Sequence, residues 1–317
     1  MNYIHTPVML EETLSLLGPR EKNELMVDAN TGEGGHSSAF LSNFPDLKVI
    51  CIDADSSVLG IAQKRMEDYT DRVHFYCGWS NDFFADYPSE FKRPDTILFD
   101  LGVSFYHYKE SGKGFTFEKD EYLDMRIDAS NGLTAADLLA RLPEKELADL
   151  IFNNAQEKYS RRIASSIVQQ RQKSTVTTTQ ALADLVYRAV PASYRHAQIH
   201  PATKTFQALR IAVNGELSRL PSLLGAALRI LEPGGRLGVI SFHSLEDRII
   251  KNFFRSMNKD CICPQNAPIC KCEGRRSVDL LTKKGVTPAQ EEIERNPPSR
   301  SARLRVVQKI LDGDSDD

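Results

Sequence analysis

The stretch "VDANTGEGGHSS" at 27–38 follows a short apolar run and is crowded with small residues. Two further apolar runs end on carboxylates, "KVICID" on Asp53 and "DTILFD" on Asp100. A loop that leaves a parallel strand and enters a helix offers backbone N–H groups and the positive end of the helix dipole to an anion. Gly32, Gly34 and Gly35 let a ligand approach the main chain closely. A phosphate loop of the ATP-binding type needs Lys and then Ser or Thr after its last glycine, whereas His36 and Ser37 stand there. A dinucleotide loop is the second option, because Asp53 lies about 20 residues on, where a carboxylate accepts ribose hydroxyls, but G-x-G-G lacks the G-x-G-x-x-G spacing. S-adenosylmethionine fits better: it has a ribose for Asp53, a carboxylate for the N–H groups and no phosphate. Trp79, after the third apolar run, is placed to stack on an adenine. A plain strand-to-helix turn and a core tryptophan are the structural alternatives.

Asp100 is the candidate reactive group. An exocyclic amine on a base is a poor nucleophile because its lone pair is conjugated with the ring, and a carboxylate acceptor favours the attacking geometry; aspartate suits the N4 amine of cytosine. Direct attack on a sulfonium methyl needs no covalent intermediate, so alignment can supply about 7–11 kcal/mol. Neither Cys51 nor Cys77 stands where a nucleophile for ring-carbon methylation is expected. The other reading of Asp100 is a loop cap.

These residues need a doubly wound sheet to bring them together. Near-continuous apolar runs at 24–29, 48–53, 72–78 and 95–102 read as strands buried on both faces. Helical patterns from about Ser37 to Asn43 and over "SSVLGIAQKRMEDY" alternate with them. Thr6–Pro7 predicts an opening helix that Gly18 and Pro19 stop. Ligands of such sheets lie beyond the carboxyl ends of the strands, where Asp53 and Asp100 fall. The alternation breaks from Ser104 to His200, where Thr134–Asp137 has capping-box spacing and Leu182, Leu185, Val186 and Ala189 share one helical face. Strand signals return at 234–243 and 301–310. The expected organisation is a sheet domain in two parts, 1–103 and 206–312, an inserted helical domain at 104–205, and a disordered tail at 313–317.

Bulk properties agree with a cytoplasmic, soluble protein. No apolar run reaches the roughly 18 residues of a membrane span, and the N-terminus has no signal-peptide pattern. The net charge of −3 is uneven: residues 1–100 hold 8 Lys or Arg against 17 Asp or Glu, and residues 243–310 hold 14 against 8. The basic end can attract a polyanion, with Arg275, Arg276, Lys283, Lys284, Arg300, Arg303 and Arg305 as phosphate contacts, or it is a solvated face. "CICPQNAPICKC" offers four thiols, Cys261, Cys263, Cys270 and Cys272, in a spacing unlike the common zinc knuckle; reduced cysteines are the favoured reading over zinc.

Several separated stretches resemble one family, the bacterial 16S ribosomal RNA cytosine-N4 methyltransferases: "HTPVMLEE" (5–12), "TGEGGHS" (31–37), "FDLGVS" (99–104), "GKGFTF" with "LDMRID" (112–128), "HPATKTFQALRIAVNGEL" (200–217), "GGRLGVISFHSLEDRIIK" (234–251) and "NPPSRSARLRV" (296–306). The resemblance implies a class I, Rossmann-like α/β methyltransferase domain with an inserted helical domain, S-adenosyl-L-methionine as cofactor, and a cytidine in the decoding centre of 16S ribosomal RNA as target. It places Gly34, Gly35, His36, Asp53 and Asp100 around the cofactor, with Trp79 as the aromatic after the third strand. His107 stands where the family has Gln, and Asn30 where Thr is usual. His243 and Ser244 are expected nearest the base. His200, Lys204, Gln207, Arg210 and Asn214, which fall partly on one helical face, line the cytidine pocket or form a polar brace. A nicotinamide-dependent oxidoreductase and a non-catalytic ribosome-assembly factor are the competing functions. The partner is 16S ribosomal RNA, within the small subunit, with no membrane; the oligomeric state stays open, a homodimer included.

Overall fold

The structure, a computed structural model, describes residues 6–130, 132–196, 198–260 and 276–310. The four clustered cysteines, Arg275 and the 313–317 tail lie outside the described residues. The chain forms two compact units, Met1–Gly102 with Arg219–Asp317, and Val103–Ser218.

The first unit is built on a seven-stranded sheet. Its strands are β1 (Leu25–Asp28), β2 (Lys48–Asp53), β3 (Val73–Cys77), β4 (Thr96–Asp100), β5 (Arg236–Ser241), β6 (Val278–Leu280) and β7 (Arg303–Lys309). The order is β3-β2-β1-β4-β5-β7-β6, with β1 to β5 parallel and β7 antiparallel to both its neighbours. This is the Rossmann-like α/β sheet expected. Side chains of a strand alternate between faces, so a sheet covered on both sides needs apolar residues at nearly every position. Val27, Ile52 and Phe99 pack with Phe83, Phe84 and Leu224. Their strand neighbours Met26, Cys51 and Leu98 pack with Leu17, Phe40 and Met66. The sheet therefore has two cores, and its polar strand-end residues emerge only at the edge.

The opening helix, Leu10–Leu17, begins later than Thr6–Pro7 predicts. Met9 caps it in a left-handed conformation, and its N–H donates to Glu292 Oε1 at 2.7 Å. Arg305 departs from the expected phosphate contact. It is 7% exposed, and its guanidinium donates to both Asp247 oxygens at 2.7 and 3.2 Å.

The second unit is helical, with Ala135–Arg141, Glu144–Ala155, Ser160–Arg171, Thr179–Ala189 and Ala202–Asn214 as its longer helices. The boundary expected at 205/206 falls inside Ala202–Asn214, a helix that packs on Glu144–Ala155 and Thr179–Ala189 within this unit. Thr134 and Asp137 close the capping box, and Leu182, Leu185, Val186 and Ala189 are all buried. "GKGFTF" and "LDMRID" form a structural knot. Gly114, at φ +74°, has no room for a Cβ against the Tyr122 carbonyl, and Met125 is buried at φ +60°. Asn214 secures the knot: Oδ1 accepts from Ile127 N at 2.9 Å, and Nδ2 donates to the carbonyls of Met125 at 2.8 Å and Arg210 at 2.9 Å. Asn214→Ala strands the part-buried N–H of Ile127 and the buried carbonyl of Met125, so a loss of about 2 kcal/mol in urea unfolding is expected. An unchanged midpoint would show that water replaces those bonds.

Candidate functional site

The glycine turn is held to the carboxyl edge of the sheet by its own backbone. Ala29 N donates to Leu98 O and Thr31 N to Ile52 O, both at 2.9 Å, so the turn lies over β4 on one side and β2 on the other. Gly34 N closes it onto Thr31 O at 2.9 Å, and Gly34, at φ +78°, starts the helix Gly35–Asn43. The Ser80 hydroxyl donates to Ala29 O, tying in the loop after β3.

Asp53 and Asp100 meet this turn from opposite sides. Asp53 Oδ2 accepts from Gly32 N, and Oδ1 accepts from Asp55 N, both at 2.9 Å. Asp100 Oδ2 lies 3.5 Å from His36 Nδ1, while its Oδ1 is buried without a partner. On its other side, the His36 ring places Nε2 3.0 Å from Val8 O. With a carboxylate at one nitrogen and a carbonyl at the other, the doubly protonated ring satisfies both contacts. Burial opposes that charge, but the bond to Asp100, the charges of Asp100 and Asp28, and the Val8 carbonyl raise the pKa of His36.

Behind His36 lies a carboxylate that sequence reasoning missed. Asp28, the last residue of β1, is 1% exposed; Oδ2 accepts from Ser37 Oγ at 2.6 Å and Oδ1 has no partner. Burial pushes its pKa up to about 6, against the opposing Ser37 bond and His36 charge. The signal was present in "VDAN" and "HSS", where a carboxylate precedes the turn and hydroxyls follow it. Cys51 donates its thiol to Ser37 Oγ at 3.3 Å, and burial followed by the Asp28 charge pushes it up to about 12, leaving it a thiol near neutrality.

Because Asp28 has a higher pKa folded than unfolded, its stabilising contribution is complete below the ordinary value of 3.8 and is lost as pH rises through about 6. Asp28→Asn removes that dependence. Its stability relative to the unsubstituted chain should therefore improve between pH 4 and 7 by roughly 2–3 kcal/mol. Denaturant unfolding at a series of pH values checks this, and a constant offset would show that Asp28 does not titrate in that range.

The remaining predicted residues divide between the units. Trp79 precedes the helix Ser80–Ala85, with the Arg219 guanidinium carbon 4.3 Å from its ring centroid. His243 caps the helix Ser244–Met257 through a capping box with Glu246, and Nε2 is 3.2 Å from Glu246 Oε1. Ser244, the first residue of that helix, is exposed. Register pairs Asp100 with Ile240, so β4 ends beside β5, which leads into this cap. In the second unit His107 is 3% exposed, with Nδ1 3.0 Å from Ser104 Oγ. His200 is exposed, Lys204 donates to Gln156 O at 3.4 Å, and Gln207 is half-buried. Arg210 grips both Glu216 oxygens at 2.9 and 2.8 Å and donates to Tyr108 Oη at 3.0 Å. Arg210 and Asn214 thus brace their own unit.

The edge is suited to a ligand that donates hydrogen bonds. Buried oxygens of Asp28, Asn30 and Asp100 lack partners, and an unsatisfied buried acceptor costs about 1–3 kcal/mol. A donor that reaches the Asp100 oxygen would relieve part of that cost, and the bare glycines let a ligand approach the turn closely.

Comparison with known proteins agrees with this arrangement. The model of the MraW methylase family matches residues 2–310. Three proteins named ribosomal RNA small subunit methyltransferase H are similar to the chain along its length. That of Treponema denticola is 55% identical, covering 98% of both chains. That of Syntrophobacter fumaroxidans is 46% identical, covering 96% of both. That of Treponema pallidum is 41% identical, covering 96% of this chain and 92% of the relative.

Proposed function

The chain belongs to the MraW methylase family, and from that premise we propose that it methylates the exocyclic N4 amine of a cytidine in the decoding centre of 16S ribosomal RNA. S-adenosyl-L-methionine is the methyl donor, and when bound it supplies an electrophilic methyl group on a positively charged sulfur. The observation that carries the reading is Asp100: one carboxylate oxygen is held by His36 beside the glycine turn and the other is buried without a partner. An acceptor so fixed can take an N–H of the incoming amine and turn its lone pair toward the methyl group without reorganising.

The roles assigned to the other residues follow from their positions. Gly32, Gly34, Gly35 and His36 hold the amino-acid end of the donor, Asp53 its ribose and Trp79 its adenine. His107 takes the place of the family glutamine, but its burial against Ser104 and Phe115 favours shaping its loop over touching the donor. His243 and Ser244 face the base from the cap after β5. His200, Lys204 and Gln207 contact RNA, whereas Arg210 and Asn214 act through the fold. No described helix is long and apolar enough to cross a membrane, in keeping with work on RNA in the cytoplasm.

The test is transfer of labelled methyl to purified 16S RNA and, separately, to small subunits, with the modified nucleotide mapped by mass spectrometry. N4-methylcytidine in the decoding centre is the expected product. A methyl on a ring carbon would overturn the chemistry, and subunit binding without transfer would point to an assembly factor.

A further inference from the structure

Residues 155–210 hold nine Lys or Arg against two Asp or Glu, whereas residues 103–154 hold six against ten. The second unit also carries a row of flat groups that runs from its core to its surface, all but Phe117 drawn from this basic half. Phe206, 4% exposed, meets Phe117 edge-on at 5.0 Å, and Phe117 lies 4.7 Å from the His200 ring. His200 and Tyr187 are within 18° of parallel, with centroids 6.1 Å apart. The Arg195 guanidinium carbon lies 5.1 Å from the Tyr187 centroid.

This row is anchored at both ends. Phe206 belongs to the core of the unit. Arg195 Nε donates to Val190 O at 3.1 Å and Nη2 to Arg188 O at 3.0 Å, which fixes the plane of its guanidinium. Between the anchors, His200 and Tyr187 are exposed, Tyr187 by 38%. Unpaired bases stack on such aromatic and guanidinium planes, and neighbouring cations hold their phosphates. A protein partner would equally cover exposed rings, but the excess of positive charge over the same segment favours a polyanion.

We propose that Arg195, Tyr187 and His200 form a stacking platform for an unpaired nucleotide of the RNA substrate. The proposal rests on the RNA-methylating reading above. It assigns His200 to a base-stacking role and brings in Tyr187 and Arg195, which sequence reasoning had not singled out.

The experiment uses the full-length protein and a short, fluorescein-labelled single-stranded RNA carrying the target cytidine, with binding read by anisotropy. Tyr187→Ala is expected to weaken RNA binding about tenfold, the scale of one lost base stack. Tyr187→Phe, which keeps the ring, should stay within about twofold. Affinity for S-adenosylmethionine should be the same in all three proteins, which separates loss of a contact from loss of the fold. Equal RNA affinity of Tyr187→Ala and the unsubstituted protein would overturn the platform while leaving the methylating reading intact. An equal loss in Tyr187→Phe would overturn the stacking argument, because the ring would still be present. Loss of affinity for intact subunits alone, with RNA binding unchanged, would assign the surface to a ribosomal protein instead. If the unsubstituted protein transferred no methyl group to RNA, the functional reading itself would fall, a result that needs no variant to detect.

Discussion

Asp100→Asn is expected to lower kcat for methyl transfer by about 10²–10³-fold, the scale seen when one preorganised polar group is removed from a reaction site. The substitution keeps the shape of the side chain and removes its charge and one of its two acceptor oxygens. Asp100 now uses Oδ2 toward His36 and leaves Oδ1 buried and unpartnered. Asparagine has a single oxygen, so it can face His36 or an incoming amine but not both. Donor affinity is expected to change less than kcat, by under about tenfold, because Asp53 and the turn N–H groups are untouched. Isothermal titration with S-adenosylmethionine and single-turnover transfer to RNA separate the two quantities. Transfer within a few-fold of the unsubstituted protein would remove Asp100 from the reaction. An equal loss in His36→Asn, with Asp100 intact, would show that the pair acts only as a brace.

Which parts of this site were legible in the sequence depends on how local their causes are. Strands β1, β2, β4 and β5 were legible because a parallel strand buried on both faces is an unbroken apolar run, whereas β3 shows a similar run but is an edge strand with none of its five residues fully buried. Strand β6, Val278–Leu280, was not, since three residues pairing with the far edge of β7 leave no periodicity to read. The opening helix was misplaced because Thr6–Pro7 is a local start signal, whereas its true first turn is satisfied by Glu292, 283 residues away. Arg305 looked like a surface cation for the same reason: its partner Asp247 comes from another element. In the site, Gly34, Asp53 and Asp100 could be singled out by residue type and strand end. Asp28 also ends a strand, but what sets it apart lies in its surroundings. Burial, working against the Ser37 bond and the His36 charge, pushes the pKa of an ordinary strand carboxylate up to about 6. The motif around 200–217 mixed two causes that sequence cannot separate: Asn214 is there for the Met125 loop, and His200 faces solvent.

The glycine turn offers the second large effect. Gly34→Val should reduce affinity for S-adenosylmethionine at least tenfold and cost roughly 2–4 kcal/mol of stability. Two costs combine at this position. At φ +78° a β-branched residue is strained whatever the space around it. A Cβ would also stand 2.9 Å from Met66 Cε and 3.1–3.2 Å from Ala62, both on or beside the helix Ser56–Arg65. The Met66 methyl can swing aside, but Ala62 includes backbone and is fully buried, so the turn itself must move. Any such shift carries the Gly32 N–H away from Asp53 and His36 away from Asp100, which disturbs the cofactor edge from both sides. Gly60 in the same helix supplies the control. A Cβ there meets nothing within 4 Å, so Gly60→Ala should stabilise the protein by about 0.5–1 kcal/mol and leave donor binding unchanged. Thermal melts with and without the donor distinguish the two. If Gly34→Val melted like the unsubstituted protein and still gained stability from S-adenosylmethionine, the turn would not be the place where the donor is held.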